Sequence, residues 1–128
     1  TVDAPLARSP ANRKKMAIVG GAAGKRAVTH WRLLTPLRAA ALVECRLETG
    51  RTHQVRVHMT SLGHPLLGDP VYGSTRGEHR ELLATLGFRR QALHAAHLGF
   101  IHPIKSNALA FDSEMPADMQ ELFNKLVV

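Results

Sequence analysis

One abrupt change of period constrains this chain most. Residues 41–48, Ala-Leu-Val-Glu-Cys-Arg-Leu-Glu, alternate: Ala41, Val43, Cys45 and Leu47 share one parity, Leu42, Glu44, Arg46 and Glu48 the other. Successive strand side chains point to opposite faces, so this stretch reads as a half-buried strand that Gly50 ends. Just beyond it, Val55, Met59 and Leu62 recur at i, i+4 and i+7, the spacing of one helix face. Val55, Val57 and Met59 also alternate as in a strand. The caps decide for a helix over His53–Leu62, with Thr52 as N-cap and Gly63 as the residue past its end.

The other elements are read around this unit. Residues 1–24 carry Pro5, Pro10, Gly20, Gly21 and Gly24 and read as a loop-rich segment. Residues 27–34 read as a strand, paired antiparallel with 41–48. The turn-rich run His64–Gly73 precedes a helix over Arg80–Leu86, with Leu82, Leu83 and Leu86 on one face and Gly87 at its end. Leu93–His102 and Ala108–Asp112 read as strands joined by a turn over Pro103–Asn107. Pro116 opens a last amphipathic helix with Met119, Leu122, Phe123 and Leu126 inward.

Length and composition bound the possibilities. The 128 residues suit one domain or a piece of one. No run of about 18 apolar residues occurs, and no signal-peptide pattern follows Thr1. The single Cys45 cannot form an internal disulfide, which fits a reducing, cytoplasmic setting. The net charge of +7 is unevenly spread. Residues 1–56 hold eleven Lys/Arg against three Asp/Glu, and residues 57–128 hold six against seven. A concentrated positive region attracts polyanions, which makes nucleic acid the leading partner.

Several chemistries find no support. His94-x-x-His97 and the pair His53 and His58 are the nearest approach to metal ligands, but there is no Cys pair and no His-Glu-x-x-His helix. His94 and His97 would also face opposite sides of a strand. No Gly-x-Ser-x-Gly elbow and no Walker-type phosphate loop is present. Cys45, among apolar neighbours, is expected to be an inert core thiol.

The chemistry concentrates in residues 47–58, Leu-Glu-Thr-Gly-Arg-Thr-His-Gln-Val-Arg-Val-His. A helix N-terminus favours an anion through its free N–H groups and dipole. Arg51, His53 and Arg56 crowd that end. Arg56 adjoins the core position Val55, so it would be partly desolvated and would want a carboxylate or phosphate partner. The plain alternative is a surface arginine on an ordinary amphipathic helix.

The string from Leu47 to Met59, followed by Gly63-His64-Pro65-Leu66-Leu67-Gly68-Asp69-Pro70-Val71-Tyr72-Gly73, resembles the signature of the RluA/RluC/RluD-type pseudouridine synthases. Arg90–Ala95 and Leu98–Pro103 resemble the family's later strand, and Met115–Met119 the entry to its last helix. Thr1–Arg8, Asn12–Lys14 and Ala27–His30 are most similar to the RluD branch. The resemblance therefore covers nearly the whole chain.

The resemblance implies an α+β fold, a mixed, largely antiparallel sheet flanked by helices, of which this chain supplies roughly the second half. It implies isomerisation of uridine to pseudouridine in large-subunit (23S) ribosomal RNA by a bacterial enzyme. It also implies no cofactor and no metal, and the expected oligomeric state is a monomer. Arg56 matches the family arginine that pairs with the nucleophilic aspartate. Val55 and Val57 would wall or support the base pocket. Arg8, Arg13, Lys14, Lys15, Arg51 and His53 are the expected RNA contacts, all but Arg51 and His53 on charge and position alone.

The family's His-Arg-Leu-Asp motif does not occur in these residues, and Asp3, Asp69, Asp112 and Asp118 lie in other contexts. The family's active-site tyrosine falls upstream, so Tyr72 is not given that role. An S4-type RNA-binding domain is also expected outside this chain. The chain alone is thus expected to be inactive, with Arg56 partnered by an aspartate outside it. The alternative is a non-catalytic RNA-binding or ribosome-assembly module on the same fold.

Overall fold

The computed structural model describes residues 1–73, 77–95, 97–101, 108–112 and 114–127. Its elements in chain order are β1 (Val2–Asp3), β2 (Leu6–Arg8), β3 (Met16–Ile18), β4 (Val28–Leu37), β5 (Ala40–Leu47), α1 (Gln54–Ser61), α2 (Gly77–Leu86), β6 (His97–Ile101), β7 (Ala108–Asp112) and α3 (Ala117–Leu126). The architecture is α+β. Every described strand pair is antiparallel, and the strands form a sheet β1-β4-β5 and the two hairpins β2-β3 and β6-β7.

The first 24 residues are more ordered than their prolines and glycines suggest. Strands of two or three residues fit between the breaks, and they borrow partners from afar. Leu6 and Lys25 exchange both backbone hydrogen bonds, at 2.9 and 2.8 Å. Val2 pairs with Thr29 in β4. Segments this short have no room for a readable alternation.

The β4-β5 hairpin forms as the alternation predicts, with Trp31 opposite Cys45 and Leu33 opposite Val43. The register shifts between Leu33 and Thr35. Its tip, Arg38-Ala39, carries a left-handed alanine at φ 50°. Leu126 in α3 accepts from the Arg38 amide at 3.0 Å, and the buried His79 of α2 bonds the Arg38 carbonyl at 3.1 Å. The expected burial of the apolar face is not realised. Trp31, Leu33 and Leu47 are exposed, and Val43 and Cys45 only half-buried, because no described element packs over them.

Helix α1 ends as read. Gly63, at φ 83°, donates to Thr60 at 2.9 Å and His64 to Met59 at 3.0 Å, which is a Schellman closure. Its start differs from the expectation. The helix begins at Gln54, and the N-cap position is His53 in the left-handed region (φ 54°, ψ 23°), not Thr52. The side chain of Gln54 does the local hydrogen bonding instead. Its Oε1 accepts from the Thr49 hydroxyl at 2.7 Å and from the Arg51 amide at 3.1 Å. Its Nε2 donates to the Val28 carbonyl and the Thr29 hydroxyl, both at 3.0 Å.

Two apolar clusters hold the described residues. Leu83, Phe88, Leu122 and Leu126 form one, with Leu37, Leu67, Leu82, Leu86, Ala92 and Met119 packed against it. Helix α2 starts at Gly77, three residues before the expected Arg80. In α3 Leu122 and Leu126 are buried as expected, and Pro116 sits at the N-cap position. Phe123 is half-buried and lies outside the cluster. The second cluster is Leu6, Ala27 and Val57, with Met16 and Tyr72 against it. It lies directly beneath the start of α1. Strand β6 begins at His97 rather than Leu93, and the expected turn over 103–107 lies outside the described residues.

Candidate functional site

The site grows from the junction of β5 and α1. Arg56, in the first turn of α1, is buried. Its Nε and Nη2 donate to Asp69 Oδ2 and Oδ1, each at 2.9 Å. Side-chain exposures of 9% for Arg56 and 0% for Asp69 place this two-pronged pair inside the protein. Planar guanidinium and planar carboxylate match edge to edge, a geometry lysine cannot supply.

Asp69 is itself held by the loop that bears it. Its Oδ1 also accepts from the Val71 amide at 2.9 Å and the Tyr72 amide at 3.2 Å. Burial pushes its carboxyl up. The Arg56 guanidinium and the two amides outweigh burial and hold it below the usual carboxylate range. Gly68 lets the loop turn there. It sits at φ 76°, and a Cβ on it would collide with the Arg90 carbonyl oxygen. Only glycine satisfies both conditions.

Tyr72 closes the site. Its ring lies 5.0 Å from the Arg56 guanidinium carbon, within cation–π range. Its hydroxyl accepts from the Met16 amide at 2.9 Å and meets His53 Nδ1 at 2.6 Å. Met16 pairs with Arg8 across the β2-β3 hairpin. One phenol thus ties that hairpin, the start of α1 and the Asp69 loop together. His53 is pushed toward its neutral form, first by burial and then by Arg56 and Arg8, with Asp69 opposing.

The expected residues divide accordingly. Arg56 and His53 meet at the site, and the exposed Arg8 lies near enough to act on His53. Arg13, Lys14 and Lys15 sit on the turn between β2 and β3, which the Ser9 amide and Lys15 carbonyl close at 2.8 Å. Arg51 is drawn elsewhere, its Nε donating to the Arg26 carbonyl at 2.8 Å. Val57 is a core residue, packed with Leu6 and Ala27. Val55 is half-buried beside it.

An aspartate outside the chain is the expected partner of Arg56 in the reaction. The carboxylate that Arg56 holds here is Asp69 of the same chain. The pairing spans thirteen residues and a tight loop, so no periodicity announces it. Two signals were available: Arg56 called for a carboxylate, and Asp69 stands in the same signature. Asp69, Tyr72 and Gln54 are the residues that the sequence reading passed over.

Other expectations concern the rest of the surface. Among the described residues no three His, Cys, Asp or Glu side chains group to hold a metal ion. Among them no helix is long and apolar enough to cross a membrane. Cys45 is half-buried, and burial, with a smaller push from Glu44, raises its thiol away from the reactive thiolate.

A buried arginine–aspartate pair thus stands at a strand-to-helix junction, tied through Tyr72 to the basic β2-β3 hairpin. The fold and sequence have known counterparts. The model of the RNA pseudouridylate synthase family matches residues 1–61. A ribosomal large subunit pseudouridine synthase D from Zymomonas mobilis is 68% identical over 99% of this chain and 40% of its own length. The protein of that name from Escherichia coli K12 is 46% identical over 95% of this chain and 38% of its own. The solved structure of human RNA Pseudouridylate Synthase Domain Containing 1 superposes with a TM-score of 0.67 at 28% identity, over 88% of this chain and 46% of that one. The chain is similar to the RNA pseudouridylate synthase family. It spans about two fifths of the length of the curated relatives it matches.

Proposed function

We propose that this chain serves a pseudouridine synthase acting on large-subunit (23S) ribosomal RNA. The observation that carries the reading is Arg56, fixed by Asp69 at the centre of the Thr-Gly-Arg-Thr-His-Gln-Val-Arg-Val-His string. In the reaction the uracil leaves its glycosidic carbon, rotates and rejoins through carbon. The base must first leave the RNA stack. A carboxylate attacks or stabilises charge in this chemistry, and it must stay ionised and aimed. No His-Arg-Leu-Asp tetrapeptide lies in these 128 residues, so that carboxylate is proposed to come from a motif-bearing segment outside them.

Asp69 occupies the Nε and Nη2 edge of Arg56. Among the described residues Nη1 has no hydrogen-bond partner, and it is not an enclosed unsatisfied atom. The proposed role of Asp69 is to lock the guanidinium so that its remaining edge meets the nucleophile. A nearby cation lowers a carboxylate pKa, which keeps the nucleophile charged. Val57 braces the helix from the core, and Val55 beside it is the residue proposed to face the base. Arg8, Arg13, Lys14, Lys15, Arg51 and His53 are the proposed RNA contacts. The protein is proposed to work in the cytoplasm as a monomer, without metal or cofactor.

The test compares two preparations on unmodified large-subunit RNA, with pseudouridine read by chemical labelling. The 128-residue chain alone should give none. The same residues joined to the motif-bearing segment should turn over. Turnover by the chain alone would refute the placement of the nucleophile. RNA binding without turnover in the joined protein would favour a non-catalytic RNA-binding or assembly module.

A further inference from the structure

The hydrogen bonds of Tyr72 bear on the state of a neighbour. Its hydroxyl has one proton to give. The Met16 amide can only donate, so at 2.9 Å the phenol oxygen accepts from it. The phenol proton is then available to His53 Nδ1, 2.6 Å away. The reverse assignment, with Nδ1–H donating, would leave the phenol proton without an acceptor among the described residues. The first assignment pairs the phenol oxygen, the phenol proton and Nδ1, leaves the ring's Nε2–H free to donate outward, and requires Nδ1 to be unprotonated.

The surroundings point the same way. Arg56 of α1 lies against the Tyr72 ring, and Arg8 of β2 is the other cation acting on His53. Asp69, which opposes them, is already committed to Arg56. A second positive charge on His53 would be poorly placed here. The ring is also held in position from behind. His53 adopts a left-handed backbone that a non-glycine residue takes only where its surroundings fix it. Its side chain meets the Tyr72 hydroxyl and, edge-on, the Tyr72 ring, centroids 5.4 Å apart. His53 Nε2 has no hydrogen-bond partner among the described residues and is not an enclosed unsatisfied atom.

We propose that Tyr72 is a positioning residue that fixes His53 as the neutral Nε2–H tautomer and presents that N–H as a donor to an RNA phosphate oxygen. The inference rests on the RNA reading above for the identity of the acceptor, while the tautomer stands apart from it.

Two measurements on the 128-residue chain test it. Long-range proton–nitrogen spectra of the histidine rings at neutral pH should show His53 with its proton on Nε2. Tyr72→Phe keeps the ring over Arg56 but removes the hydroxyl. It should give a mixture of His53 tautomers and raise the His53 pKa, a change that a merely structural role would not produce. Nδ1–H as the main form in the unmodified chain would overturn the proposal, as would a Tyr72→Phe spectrum with the same tautomer. The second measurement is affinity for an unmodified large-subunit rRNA transcript in Tyr72→Phe, His53→Ala and the double variant. Each single change should weaken binding by about threefold to tenfold, the worth of one hydrogen bond. The double variant should bind no worse than His53→Ala, because Tyr72 acts through His53. Additive losses would overturn the positioning role, and unchanged affinity in His53→Ala would overturn the donor role. No binding by the unmodified chain would instead be a failure of the RNA reading, and the spectra would still decide the role of Tyr72.

Discussion

The Arg56–Asp69 pair and the Arg32–Glu44 pair use the same two chemical groups in the same two-pronged arrangement. Both place arginine nitrogens 2.8–3.3 Å from carboxylate oxygens. They differ in surroundings. Arg32 and Glu44 lie on the open face of the β4-β5 hairpin, with side chains 68% and 39% exposed, against 9% and 0% for Arg56 and Asp69. Exposed pairs replace their hydration at little net gain. A buried pair must be complete, because removing one partner leaves an uncompensated charge inside. Geometry alone therefore does not set the two pairs apart; burial and a supporting loop do.

The largest effect should come from breaking the buried pair. Arg56→Met should destabilise the chain by about 3 kcal/mol, the lower end for a broken buried pair because Arg56 keeps some exposure. Arg32→Met should leave the urea midpoint within error. Equal midpoint shifts in the two variants would erase the distinction between the pairs.

The loop behind the pair comes next. Gly68→Ala places a Cβ against the Arg90 carbonyl at a positive φ. A loss of about 2 kcal/mol is expected from strain of this kind. The same change at exposed Gly50, where nothing lies within reach of an added Cβ, serves as the control. A Gly68→Ala midpoint equal to that of Gly50→Ala would mean that the loop is not clamped.

Acid should separate the regions by a smaller amount. The folded pKa of Asp69 lies below its unfolded value of about 3.9. Its contribution is complete above that unfolded value and is lost as pH falls through the folded one. Stability between pH 5 and 2 should therefore fall more steeply in the parent chain than in Asp69→Asn. Parallel curves would show that Asp69 contributes nothing through its charge.

The smallest expected effect concerns the β2-β3 turn. Replacing Arg13, Lys14 and Lys15 together with glutamine should flatten the salt dependence of RNA binding. The expected change is about 0.7–0.9 units of log–log slope for each phosphate that these side chains neutralise. An unchanged slope would remove that turn from the RNA interface.

Much of this arrangement is legible in the sequence, for reasons particular residues make plain. The β4-β5 hairpin announces itself because eight alternating residues give a pattern that chance rarely matches. Gly63 announces the end of α1 because few other residues take its backbone angles. The start of α1 is misleading, since Thr52 is an ordinary N-cap type and a left-handed histidine is not something composition suggests. The long reach of Gln54 to Val28 and Thr29 depends on where β4 passes, which local sequence does not encode. Arg56 stands out by its position in the string, but its partner does not, because the Asp69 loop folds back from thirteen residues away. The exposed face bearing Trp31, Leu33 and Leu47 reads as core from parity alone, and parity does not say whether anything covers it.

The central claim is that the Asp69-held guanidinium of Arg56 acts on the reaction and not merely on the fold. Arg56→Lys tests it most directly, because it keeps the charge and loses the planar two-pronged geometry. The measurement is the single-turnover rate of pseudouridine formation, with these residues joined to the motif-bearing segment, the folded fraction checked and RNA affinity measured separately. The account predicts a rate that falls far more than affinity does, lying between the parent protein and Arg56→Met. A parental rate in folded Arg56→Lys and Arg56→Met would contradict it, and would return Arg56 to the role of a structural ion pair.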